Sequence, residues 1–226
     1  VGHTFVATVA TIVHCGAAPV LVDVNEDFNM NAKKLERAIT PRTRAILPVH
    51  INGRTCDMDA ISGIAKKKGL LVIEDAAQAL GSSFKGKKAG AFGLAGCFST
   101  HPLKNLSAAG DGGFVSTNDN QLAEKIRLLR DHGQRTKEDL AFYGFNSRLD
   151  NLQAAILNIK LKCLPRWLER RREVAMMYHK GLTTLSTLKL PPPPASEGQY
   201  FDVYSSYVVR AQDRDKLYKY LLAESI

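Results

Sequence analysis

Leu70-Leu71-Val72-Ile73-Glu74-Asp75-Ala76-Ala77-Gln78 is the stretch on which the fold turns. Its first four residues are apolar and β-prone with no polar alternation, the composition of a central strand buried on both faces. Gly69 stops the helical pattern Met58 to Lys68 just before it, and the run ends on two carboxylates. A helix feeding a buried strand that terminates in polar residues is one step of a βαβ unit, and ligands bind such sheets beyond the carboxyl ends of the strands.

The same alternation extends in both directions. Toward the N-terminus it predicts a strand over Ala45 to Val49, a helix over Lys33 to Ile39, a strand over Pro19 to Val22 and a helix-like run from Thr4 to Cys15. Toward the C-terminus it predicts strands over Gly96 to Thr100 and Phe114 to Thr117. Between them lies a loop holding Lys104 and the turn Gly110-Asp111-Gly112-Gly113. Asn118, with Gln121 three residues on, reads as the cap of a helix whose buried stripe is Leu122, Ile126 and Leu129. Residues 151–182 stay helical with an interruption at Pro165, and Pro191 to Pro194 reads as a stiff connector. Val203 to Val209 then reads as a strand and Arg214 to Ala223 as a helix. The expected fold is α/β, with a mostly parallel central sheet and helices on both faces. Residues 1–182 form a large domain, and residues 183–226 a linker and the beginning of a smaller α/β domain. Both ends read as cut, since Val1 is not an initiator methionine and the chain stops as a helix ends.

Composition narrows the function classes. With 45% hydrophobic residues against 23% charged, the chain buries a sizeable core and is not disordered. The formal net charge of +9 is assigned to solvated helix faces, such as Lys66-Lys67-Lys68 and Arg170-Arg171-Arg172. No aromatic residues interleave with them as a nucleic-acid platform requires. Four scattered cysteines, with no C-x-x-C pair and no histidine cluster, read as reduced thiols of a cytoplasmic protein without a metal site. No apolar run approaches the roughly 20 residues that span a bilayer, so no membrane partner is expected.

Asp75 and Gln78 stand at one strand end, and Ser99, His101 and Lys104 at another. A strand-end carboxylate among apolar neighbours needs a cation, and a protonated pyridine nitrogen meets that need. A lysine amine in a semi-enclosed site is suited to imine formation with an aldehyde. Together they satisfy the two demands of pyridoxal-5′-phosphate (PLP) chemistry. Ser99 is placed to donate to a phosphate oxygen, and the glycine turn permits close backbone approach near the lysine. Each residue also has a plainer reading: Asp75 as a helix cap or ion-pair member, Lys104 as a solvated loop lysine, His101 as a metal ligand that lacks visible partners.

The order of these motifs resembles the DegT/DnrJ/EryC1/StrS sugar aminotransferases, PLP-dependent enzymes of the aspartate aminotransferase-like fold. Val72-Ile73-Glu74-Asp75-Ala76-Ala77-Gln78-Ala79 is similar to the family's aspartate motif. Gly96-Cys97-Phe98-Ser99-Thr100-His101-Pro102-Leu103-Lys104-Asn105-Leu106, with the Gly-Asp-Gly-Gly turn, is similar to its lysine motif. Arg130-Asp131-His132-Gly133-Gln134 and Gly144-Phe145-Asn146-Ser147-Arg148-Leu149-Asp150, with Gln153-Ala154-Ala155, also match. The resemblance implies that Lys104 carries PLP, Asp75 pairs with the pyridine nitrogen, Gln78 donates near the ring hydroxyl and Ser99 binds the phosphate. Phe5 falls where the family places an aromatic ring against the cofactor face, with core packing as its alternative. Asn146 matches a residue that reaches the neighbouring subunit's cofactor, which implies a homodimer with shared active sites. Arg148 faces the substrate or forms a structural ion pair. The implied reaction moves an amino group from an amino acid, usually glutamate, to a keto sugar, usually nucleotide-linked. Two alternatives stand beside it: a PLP-dependent sugar dehydratase, against which the retained lysine argues, and a non-catalytic regulatory or scaffold protein. The family's phosphate loop and most of its C-terminal domain have no counterpart in the chain.

Overall fold

The computed structural model describes residues 1–195 and 197–226. Helices α1 (Val6–His14) and α2 (Ala32–Ala38) precede strand β1 (Ala45–Ile46), and α3 (Met58–Lys68) leads into β2 (Leu71–Asp75). A short hairpin of β3 (Ser83–Phe84) and β4 (Lys87–Lys88) comes before β5 (Ala95–Ser99) and β6 (Gly113–Ser116). Then follow α4 (Asn120–Leu129), α5 (Asn151–Leu182), β7 (Leu188–Lys189), β8 (Tyr200–Phe201), β9 (Arg210–Ala211) and α6 (Arg214–Ala223). The central sheet has the order β1-β2-β5-β6; its first three strands are parallel and β6 is antiparallel to β5. It is the mostly parallel sheet that the βαβ pattern predicts.

The α3–β2 unit shows why. Asp57 caps α3 by accepting from the Ala60 N–H at 3.1 Å, and Gly69 ends it in the left-handed conformation at φ 63°. Met58, Ile61 and Ala65 put one stripe of the helix into a buried cluster with Leu35 of α2, Ile46 of β1 and Val72 of β2. Lys66, Lys67 and Lys68 occupy the last turn, where cations complement the helix dipole. A second cluster joins Leu157, Leu164 and Leu168 of α5 to Leu106, Ala108 and Val203. α5 thereby packs against the loop that carries Lys104.

Several expectations change. Pro19 to Val22 joins no ladder, and Val20 and Leu21 lie exposed; β propensity makes no strand where no neighbour takes the backbone groups. Val203 to Val209 is not a strand either, because Tyr204 sits at φ 45° and breaks the extended run. Only the flanks, β8 and β9, pair: β8 with β3 and β9 with β7. β2 is covered on one face, with Val72 and Glu74 buried and Leu71 exposed. The cap of α4 is Asp119 rather than Asn118, its carboxylate accepting from the Leu122 N–H at 3.0 Å. α5 runs uninterrupted through Pro165, since proline removes one N–H while the apolar face on both sides of it stays packed. Arg172 is only 8% exposed. Its guanidinium donates to the carbonyls of Asp202 and Ala195 and lies 4.2 Å over the Phe201 ring, so it is not part of a solvated face. The four cysteines are unpaired among the described residues, and no described helix is long and apolar enough to cross a membrane.

If α3 is anchored by its buried stripe, Ile61→Ala should lower the unfolding free energy by about 2–5 kcal/mol, and Lys67→Ala should change it by less than about 0.5 kcal/mol. Urea denaturation of the two variants checks this; equal losses would contradict the assignment of the helix faces.

Candidate active site

Parallel pairing brings the polar strand ends together. The register sets Asp75 opposite Cys97, so β2 and β5 end side by side, with Asp75 on one and Ser99 on the other. β1 is cut short by Pro48, which has no N–H for the ladder. The Pro48 carbonyl still accepts from the Asp75 N–H at 2.9 Å, and the Asp75 carbonyl accepts from the His50 N–H at 3.0 Å. His50, Asp75 and Ser99 therefore lie along one edge of the sheet.

Glu74 and Asp75 use their carboxylates differently. The Glu74 side chain is 0% exposed and accepts four hydrogen bonds. His50 Nε2 lies at 2.8 Å, the Gly90 N–H at 2.8 Å, the Phe92 N–H at 2.7 Å and the Gly93 N–H at 2.6 Å. Burial pushes its pKa up, but the His50, Gly93 and Gly90 donors outweigh that and hold it below the usual carboxylate range. For His50, burial acts to lower the pKa, while Cys56 and Glu74 raise it to about 9. The Cys56 N–H, however, points at Nδ1 from 3.1 Å and requires a lone pair there. On that geometry the ring is neutral and donates its one hydrogen, on Nε2, to Glu74.

Asp75 Oδ2 accepts from Thr8 Oγ1 at 2.6 Å, and Oδ1 accepts from the Ala77 N–H at 3.1 Å. Among the described residues no cation pairs with it. The Thr8 bond also docks the start of α1 at the end of β2. Phe5, the residue preceding α1, is 71% exposed, which overturns core packing within this chain as its role. Gln78 Oε1 accepts from the Asn52 N–H at 2.6 Å, leaving the Nε2 hydrogens free. Ser99 Oγ accepts from the His101 N–H at 3.2 Å and keeps its own hydrogen to give.

Lys104 sits on a loop tied at several points. Its N–H donates to the His101 carbonyl, the Ala108 N–H to the Thr100 carbonyl and the Thr100 N–H to the Gly112 carbonyl. From α5, Lys160 Nζ donates to the Ser107 carbonyl at 2.7 Å, and Gln153 Oε1 accepts from the Ala109 N–H at 2.8 Å. Gly112 has no space for a side chain, since a Cβ there would lie 2.6 Å from Thr100 Oγ1. Lys104 is half-buried, and its amine forms no ion pair among the described residues.

Asn146 and Arg148 stand apart from this group. Asn146 Oδ1 accepts from Arg148 Nε at 3.1 Å, and Arg148 reaches Asp131 at 3.2 Å. Of the two readings of Arg148, this chain displays the ion pair. Tyr143 and Phe145, on the same loop, are 93% and 66% exposed.

The chain matches the DegT/DnrJ/EryC1/StrS aminotransferase family over residues 1–226. It belongs to that family. It is 45% identical over 224 residues to a pleiotropic regulatory protein of Geobacillus stearothermophilus, a match that covers 99% of this chain and 60% of the relative. It is 44% identical to a UDP-N-acetyl-3-dehydro-alpha-D-glucosamine 3-aminotransferase of Acidithiobacillus ferrooxidans, with the same coverage. The crystal structure of Streptomyces venezuelae DesV in complex with a ketimine intermediate superposes with a TM-score of 0.93 at 42% identity, covering 98% of this chain and 59% of that one. The chain thus spans about 60% of the length of the relatives it matches. Family membership accounts for the mostly parallel α/β fold and for the order of the motifs.

Sequence reasoning missed Thr8, His50, Asn52 and the buried role of Glu74. His50 and Asn52 carried a usable signal: they directly follow an expected strand, Ala45 to Val49, where the strand-end rule already pointed. Thr8 carried none, because nothing local tells which strand end a helix meets.

Each Glu74 oxygen accepts from two donors, so Glu74→Gln leaves two inward N–H groups without an acceptor and removes a buried charge from the others. With two buried donors unsatisfied, the variant should be destabilised by about 2–6 kcal/mol at neutral pH. Because the folded pKa lies below the unfolded one, the wild-type advantage is full above the ordinary carboxylate range and is lost as pH falls through the folded value. Unfolding measured from pH 7 down to acid checks this, and a pH-independent difference between the proteins would contradict it.

Proposed function

We propose that this chain is the PLP-binding part of a nucleotide-sugar aminotransferase, with Lys104 as the cofactor-bearing lysine. The observation that carries the reading is that, among the described residues, Asp75 is a carboxylate without a cation and Lys104 an amine without an anion, both at one end of a parallel sheet. When bound, PLP supplies an aldehyde for a lysine amine and an electron-withdrawing ring. The residues present fit it. Asp75 has acceptor capacity left for a ring N–H, and Gln78, with its Oε1 turned to the Asn52 N–H, has its Nε2 donors to give to the ring oxygen. Ser99 has a hydroxyl hydrogen for a phosphate oxygen. Phe5 offers an uncovered ring at the start of the helix that Thr8 fixes to Asp75. In the reaction Lys104 acts as general base and acid, moving a proton at its amine. The relatives named as sugar aminotransferases support a keto sugar as acceptor, with an amino acid, by the family resemblance usually glutamate, as donor.

The exposed Asn146 and Arg148, beside uncovered Tyr143 and Phe145, support a homodimer in which this loop reaches the partner's site. Arg148 has a substrate contact to offer there if the Asp131 pair opens. Residues 1–182 are the large domain and 183–226 begin the smaller one, with a cytoplasmic setting suited to four unpaired cysteines.

PLP-loaded protein mixed with L-glutamate should release 2-oxoglutarate as the cofactor absorbance changes, with one equivalent released per site in the absence of a keto sugar. Lys104→Ala should lower the rate by at least about 10²–10⁴-fold. Binding of PLP without any 2-oxoglutarate release would contradict amination and favour a regulatory role.

A further inference from the structure

Gln78 does not set its own orientation. Its Oε1 is taken by the Asn52 N–H at 2.6 Å, and Asn52 holds that N–H in place from a left-handed conformation, φ 58° and ψ 9°, which asparagine tolerates better than most residues. The next residue, Gly53, has φ 89°, and its carbonyl accepts from the Val203 N–H at 2.9 Å. A Cβ on Gly53 would stand 2.7 Å from the Ser205 nitrogen and 2.9 Å from the Tyr204 nitrogen, so the two backbones touch. Arg54 completes the anchor. Its Nε donates to Asp27 at 3.1 Å, its Nη1 donates to Asp202 at 2.5 Å, and its guanidinium lies 3.6 Å over the Tyr200 ring. Asp202 is itself buried, and its backbone carbonyl accepts from Arg172 of α5. Three consecutive residues are thus fixed to the 200–205 segment on one side and to a single side-chain oxygen on the other.

We propose that the Asn52-Gly53-Arg54 turn is a positioning element that fixes the polarity of the Gln78 amide, so that only its N–H donors face the cofactor's ring oxygen. This rests on the PLP reading of the site. An amide held at neither end presents its oxygen or its nitrogen alike, whereas an amide whose oxygen is turned to a fixed N–H directs its nitrogen, and with it both donors, the other way. A donor favours the ionised form of the ring oxygen, and an acceptor favours the protonated one. The anchor at residues 202–205 ties this choice to the segment that leads from α5 into β9 and α6, so a shift of that segment reaches the cofactor through Gln78.

The test uses PLP-loaded protein and the ratio of its two absorption bands, which reports whether the ring oxygen carries a proton. Asn52→Gly keeps the N–H and allows φ 58°, so its ratio should match wild type. Asn52→Val strongly disfavours that conformation and pulls the N–H away, and its ratio should move toward the protonated form by about 2- to 10-fold, the weight of one hydrogen bond. Equal ratios in Asn52→Val and wild type would overturn the proposal, as would a shift of the same size in Asn52→Gly. Should Asn52→Val fail to fold, Arg54→Lys, which loosens the anchor, must move the ratio in the same direction, and an unchanged ratio there overturns the proposal equally. Borohydride reduction and peptide mapping separate the two levels of the argument. A wild-type protein that takes no label on Lys104 refutes the PLP reading and this proposal with it, whereas a labelled wild type with an insensitive ratio refutes the positioning role alone.

Discussion

A carboxylate inside a protein must be met by donors or by a cation, and β2 ends on two carboxylates that meet this demand in opposite ways. Glu74 is satisfied internally by His50 and three backbone N–H groups, Gly90, Phe92 and Gly93. Those bonds tie the segment before β5 to the end of β2, and through His50 they tie in the continuation of β1. Breaking such a set leaves a buried charge or a buried N–H unpaired, each more costly than the bond was worth. Asp75, one residue further and on the other side of the strand, receives only a threonine hydroxyl and a local N–H. Glu74 fixes the strand end, while Asp75 is left without a cation among the described residues.

The remaining parts of the site are held in the same indirect fashion. The Lys104 loop is closed by its own backbone bonds and held by Gln153 and Lys160 from α5, while Leu106 and Ala108 bury its underside against the same helix. Gln78 is fixed by a turn, and that turn by the segment before β9. Gln78 and the Lys104 loop thus receive their orientation from elements away from the strand ends.

Much of this was legible in the residues. α3 and α6 occupy the residues that their patterns indicate, and α3 stops at Gly69 as read, because helical periodicity and a left-handed glycine are local properties. The placement of Asp75 and Ser99 at neighbouring strand ends, with Lys104 on the loop that follows, was legible through the strand-end rule. What sequence could not supply depends on partners. Pro19 to Val22 has the composition of a strand but no neighbour, and Tyr204 adopts a positive φ where Val203 to Val209 otherwise reads as extended. Arg172 looks like its exposed neighbour Arg170 until Phe201 and two carbonyls arrive from distant sequence. The Thr8 and Asn52 contacts likewise span 67 and 26 residues, and no periodicity encodes them.

The central proposal is that the Asp75 carboxylate pairs with the protonated ring nitrogen of PLP. ¹⁵N NMR of protein loaded with PLP labelled at that nitrogen tests it most directly. The account predicts a protonated-pyridinium shift that persists well above the pH at which free PLP loses this proton, and its replacement by the unprotonated shift in Asp75→Asn. An unprotonated nitrogen in the wild type at neutral pH, or the same shift in both proteins, would contradict it.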